Sequence, residues 1–157
     1  MNKSVKVLDL VLKYVIVALL MGMVFTIFAQ VVTRYIFKMP LTWSEEIARY
    51  MFIWLIFLGS AIAVGKKSHI IIDIVITHIP DKFTVYTNMF VNLMIVIYIV
   101  VITYSSFLVL PVVASSFSSA LQIPYVYIYA ALPVSGLISL VYLCDGLLLD
   151  MKKSRKR

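Results

Sequence analysis

The chain has 157 residues, 63% of them hydrophobic and only 13% charged, with a net charge of +7. Charged residues are about half as frequent as in soluble domains, which excludes a water-soluble globule: too much apolar surface would face water. The positive charge does not point to nucleic acid either, because the basic residues gather at the termini and between apolar runs instead of marking one face of a domain.

Charges are absent from Tyr14 to Thr33, from Tyr50 to Gly65, and from Phe83 to Cys144. A helix needs about 20 residues to cross a bilayer core, so the first two runs supply one span each and the third supplies two. The sequence therefore predicts an all-α integral membrane protein with four transmembrane helices, at about residues 12–33, 45–65, 83–110 and 125–144, forming one domain over 1–157.

The first span has Lys13 snorkelling at one end and Arg34 at the other. It is full length and lacks a small-residue cleavage site after its apolar core, so it is expected to remain in the mature protein. Lys38, Met39 and Pro40 make a turn. Thr42, Trp43, Ser44 and Glu45 then fit a T-x-x-E capping box, which starts the second helix near Trp43. In its second half Gly59, Ser60, Ala61 and Ala63 are small enough for close helix packing in lipid, where hydrophobicity alone does not drive association.

Between Lys66 and Lys82 the apolar core from Ile70 to Ile79 is too short to span. His69, Asp73 and Thr77 recur every four residues, so the segment at about 68–80 reads as a short amphipathic helix lying on membrane lipid. Its isoleucine richness equally permits an extended strip. The third span ends near Leu110, where Pro111 and a run of serines interrupt the apolar stretch. The fourth follows Pro124, with Tyr125, Tyr127 and Tyr129 as interfacial anchors and Pro133 as a kink.

Four spans put both termini and the middle connection on one side. Every lysine and arginine except Arg34, Lys38 and Arg49 falls there. The positive-inside rule makes that side the cytoplasm, so the corner containing Glu45 and the serine-rich connection before Pro124 face outward, into the periplasm of a bacterium.

The candidate site residues are few. Glu45 and Arg49 form an i,i+4 pair, Glu46 and Arg49 an i,i+3 pair, and both acids suit the positive end of the helix dipole. Two roles stand open for this corner: a capped helix start, or a contact with another helix or subunit, since Arg49 lies a turn inside the span and charges at that depth pair with protein. Catalysis by the two acids is disfavoured, because adjacent residues on a helix point about 100° apart. His69, Asp73 and His78 are too few and too dispersed for a metal centre, and both histidines lie outside the spans where haem ligands would be needed. Asn88 and Asn92 share a helical face and read as interhelical hydrogen-bonding groups worth about 1 kcal/mol each. The single cysteine, Cys144, has no partner for a disulfide.

Trp43-Ser-Glu-Glu-x-Ala-Arg-Tyr50, Phe57-Leu-Gly-Ser-Ala61, His69-Ile-x-x-Asp73, and Leu121-Gln-Ile-Pro with Tyr129-x-Ala-Leu-Pro133 occur in order along most of the chain. As a set they resemble the small membrane subunit of tripartite ATP-independent periplasmic (TRAP) transporters. The resemblance implies a non-catalytic scaffold in the bacterial inner membrane. Its partners would be a large multispanning membrane subunit that moves organic acids with a sodium gradient and a periplasmic binding protein that delivers them. No cofactor is implied. Trp43, Glu45, Glu46, Arg49, Tyr50, Gly59, Asp73, Asn88 and Asn92 are the structural or subunit-contact candidates. Two other readings remain open: a free-standing oligomeric transporter or channel, whose polar path would have to come from Thr26, Gln30, Asn88 and Asn92, and a membrane anchor for a redox enzyme.

Overall fold

A computed structural model describes residues 3–39, 41–65 and 81–154. The proposed interfacial segment at 68–80, with His69, Asp73 and His78, lies outside the described residues. Four long helices cover most of the rest: α1 (Lys3–Tyr35), α2 (Thr42–Gly65), α3 (Asp81–Val113) and, after the one-turn α4 (Val126–Tyr129), α5 (Ala131–Ser154). Four stretches, Val5–Tyr35, Thr42–Gly65, Leu93–Val113 and Val126–Gly146, are long and apolar enough to cross a membrane. Each is continuous hydrogen-bonded helix or nearly so, as a backbone in hydrocarbon must be.

The helices outrun the apolar runs. α1 begins at Lys3, well before the expected 12, because Lys3, Lys6, Asp9 and Lys13 are compatible with helix. Asp9 and Lys13 form an i,i+4 ion pair. α3 runs through Pro111 to Val113 instead of ending at Leu110; so near the helix end the ring removes a single N–H without breaking the helix. The fourth span is divided. Pro133 falls in the first turn of α5, where its missing N–H costs least, and α4 and α5 meet at Ala130, which keeps right-handed helical angles, φ −60° and ψ −20°. Lys38 adopts a left-handed backbone, φ 53°, and turns the chain out of α1.

The packing order is α1–α2–α5–α3, with α4 wedged among α2, α3 and α5. Close approach is made by glycines, as expected where packing and not hydrophobicity holds helices together. A Cβ added to Gly22 of α1 would lie 3.3 Å from the Met51 side chain of α2, and one on Gly65 would lie 2.5 Å from the Tyr142 ring of α5. At Gly136 of α5 it would run into the Thr103 hydroxyl of α3. Gly59, an expected packing residue, has nothing among the described residues within 4 Å of such a Cβ, so it holds none of the described helices. The core gathers at one end, where Val5, Leu12, Leu58, Ile62 and Tyr142 bring α1, α2 and α5 together. There the Tyr142 hydroxyl donates to Asp9 at 3.4 Å.

Candidate functional site

At the opposite end lies the connection between α3 and α5, and its conformation is built by its own polar groups. Ser118 N–H donates to the Ile123 carbonyl at 2.9 Å, Tyr125 N–H donates to Ser116 at 3.0 Å, and Phe117 and Pro124 form an isolated antiparallel bridge. The Ser118 hydroxyl, fully buried, accepts from Ile123 N–H at 3.2 Å. Gln122 closes the turn in the left-handed region, φ 53°. The outcome is a tight loop whose tip presents two successive amide N–H groups, those of Ala120 and Leu121.

Glu46 fills that tip. Its carboxylate accepts from Ala120 N–H at 2.9 Å and from Leu121 N–H at 3.0 Å, one oxygen to each amide. Successive backbone N–H groups make a ready cradle for an anion, and a charged acceptor gives the stronger class of hydrogen bond. Glu45 turns the other way and accepts from the Gln30 side-chain amide of α1 at 3.2 Å. The two neighbouring carboxylates, pointing apart as helical geometry requires, tie α2 to α1 on one side and to the α3–α5 loop on the other.

This arrangement corrects two sequence expectations. The T-x-x-E capping box does not form, because Glu45 is engaged with Gln30 and the first turn is held by the Ser44 hydroxyl donating to Leu41 at 2.7 Å. Arg49 is not held by either acid among the described residues. Local i,i+3 and i,i+4 spacing predicted that pair, but exposed pairs of this kind are weak, and both carboxylates have donors from other elements.

Arg49 instead lines a cleft of about 350 Å³ with Glu46, Tyr50, Ile53, Tyr125 and Tyr129. Tyr125 and Tyr129 stack edge to face, their ring centres 6.5 Å apart. The floor is apolar, from Phe57, Ile128 and Leu132. Trp54 closes the neighbouring seam by donating its indole N–H to the Tyr127 carbonyl at 3.2 Å. Trp43 is exposed on the first turn of α2. Asn88 and Asn92 lie on α3, with their side chains outside the described part of the molecule. Among the described residues no three of His, Cys, Asp and Glu cluster as metal ligands would.

Sequence reasoning missed the Glu46 cradle, since its donors are backbone groups 74 and 75 residues away. The run of serines followed by L-Q-I-P was the available signal. It marked a loop, but not that the loop's amides face α2. The Thr103–Gly136 approach left a fainter trace in the small residues Ser135, Gly136 and Ser139.

Residues 23–152 match the model of a protein family described as tripartite ATP-independent periplasmic transporters, DctQ component. The chain belongs to that family. It is thus a small TRAP transporter permease component and a multi-pass membrane protein. A putative TRAP transporter small permease protein of Haemophilus influenzae is 25% identical over 97% of this chain and 92% of its own length. The sialic acid TRAP transporter permease protein SiaT, also of H. influenzae, is 28% identical over 81% of this chain but only 21% of its own length. The isethionate TRAP transporter permease protein DctMQ of Oleidesulfovibrio alaskensis is 30% identical over 83% of the chain and 22% of its own length. Against these two, the chain spans about a fifth of a longer permease.

Proposed function

We propose that the chain is the non-catalytic scaffold subunit of a TRAP-type secondary transporter that imports organic acids with a sodium gradient. It acts with a large multispanning membrane subunit and a periplasmic substrate-binding protein, in the bacterial inner membrane, as one four-helix domain with both termini in the cytoplasm. The observation that carries this reading is the use made of Glu46: the carboxylate in the cleft is spent on two amides of the chain's own loop, a fixture of architecture and not a group held ready for cargo. Hydroxyls at membrane depth are likewise turned onto their own helices, Thr26 donating to Gly22, Ser106 to Thr103 and Ser139 to Ser135. A large membrane partner is supported by the relatives in which the matching region occupies about a fifth of a longer permease. An acidic cargo is supported by relatives named for sialic acid, isethionate and C4-dicarboxylate.

The test is purification from its native membrane in mild detergent followed by reconstitution. The expected result is co-purification with a large multispanning chain, no uptake by this subunit alone, and sodium-dependent uptake of a carboxylate when the whole assembly is reconstituted with its binding protein. Uptake by this chain alone overturns the scaffold reading.

A further inference from the structure

α2 and α3 stand on either side of α5 and leave a groove between them, with α5 as its floor. In the membrane interior this groove is a cleft of about 360 Å³ whose lining includes Ser60 of α2, Tyr98 of α3 and Ser135 and Gly136 of α5. Phe57 and Leu132 line both it and the Arg49 cleft, so the two join end to end along the seam of α2 and α5. From Arg49 to Val64, which also lines the groove, α2 rises about 22 Å, most of the roughly 30 Å hydrocarbon thickness.

Three properties of the groove choose its occupant. Its walls are two helices that each pack on α5, and packed helices sit about 8–10 Å apart. Its length exceeds what one leaflet's acyl chain covers. Its outer end carries the Arg49 guanidinium, about two turns inside α2 and without an acid partner among the described residues. At that depth a cation is stabilised by a carboxylate on protein. Thr103, on the α3 wall and only 5% exposed, packs its hydroxyl against Gly136 of α5, with no hydrogen-bond partner among the described residues.

We infer that the groove between α2 and α3 seats one transmembrane helix of the large permease chain, apolar along its length and bearing an Asp or Glu that meets Arg49 near its outer end. The inference rests on the scaffold reading and adds the face, the depth and the chemistry of the contact. The charge pair fixes the depth of the incoming helix.

The test uses the assembled complex in native membranes, with the photo-crosslinking residue p-benzoylphenylalanine placed singly at Phe57, at Leu132, and at Phe25 on the exposed face of α1. Mass spectrometry of the adducts is expected to find, at Phe57 and Leu132 alone, a peptide from a transmembrane segment of the large subunit with an acid near its outer end. Arg49→Leu is expected to reduce that adduct several-fold, and Arg49→Lys to retain it. Phospholipid adducts, or peptides from a second copy of this chain, at both groove positions overturn the inference even though the complex still co-purifies. Loss of co-purification in the unmodified protein would instead strike the scaffold reading.

Discussion

At the scale of single residues, the corner at the head of α2 divides labour between two adjacent acids. Replacing Glu46 by Ala removes the acceptor for two amides at once, and a buried or half-buried N–H without an acceptor favours a loop that opens to water. Hydrogen exchange at Ala120 and Leu121 is therefore expected to accelerate strongly in Glu46→Ala. In Glu46→Gln, which keeps one acceptor oxygen but loses the charge, it should accelerate less. Glu45→Gln is expected to leave exchange in that loop unchanged, because its contact is with Gln30 on α1. Equal effects of the two substitutions would refute the division. What the sequence made legible here was that Glu45, Glu46 and Arg49 stand together at the head of α2. The pairing was not legible: spacing rules see only neighbours on one helix, and the winning donors come from α1 and from a loop far along the chain.

At the scale of the elements, the helices touch where side chains vanish. Gly136→Ala places a methyl group against Thr103, and overpacking of this kind costs about 1–3 kcal/mol, read as a lower Tm in detergent. Thr103→Ala in the same chain, by removing the facing hydroxyl and methyl, is expected to recover much of that loss. The matching change at Gly59 should leave the Tm of the isolated subunit unchanged or slightly raised, since open space surrounds the site and alanine favours helix. A fall in Tm as large as that of Gly136→Ala would contradict the packing described. The apolar runs of the sequence foretold four spanning helices, and the described residues hold four helices long and apolar enough to cross a membrane. They did not foretell that α1 begins in the charged segment or that the fourth span divides at Ala130, because hydropathy reports what can enter lipid and is silent on where a helix ends.

At the scale of the whole molecule, the two ends differ in what binds them. One end is closed by apolar packing of α1, α2 and α5 around Tyr142, and the other by hydrogen bonds from Gln30, Ala120 and Leu121 to the two acids. With Cys144 replaced by Ser, single cysteines at Ser116 and at Ser154 are expected to react with a membrane-impermeant maleimide from opposite sides, Ser116 from outside. Labelling of both from one side would refute a four-span path. Composition alone was enough to indicate the architecture, because a chain this poor in charge has few ways to fold. Which face meets a partner was beyond it, since that face is defined by the gap between α2 and α3, a property of three helices together.

The Glu46 cradle also has a consequence in time. Chains are made and folded from the N-terminus onward. The carboxylate of α2 is therefore in place well before the ribosome has delivered the loop amides that will receive it, and α3 must be laid down in between. Until then the nascent α1–α2 hairpin carries an unclaimed acid at its end. The latch is thus the earliest of the described hydrogen bonds between the first half of the chain and the second that synthesis allows, ahead of those to Tyr127 and Tyr142, and a polypeptide halted before Ala120 could never close it.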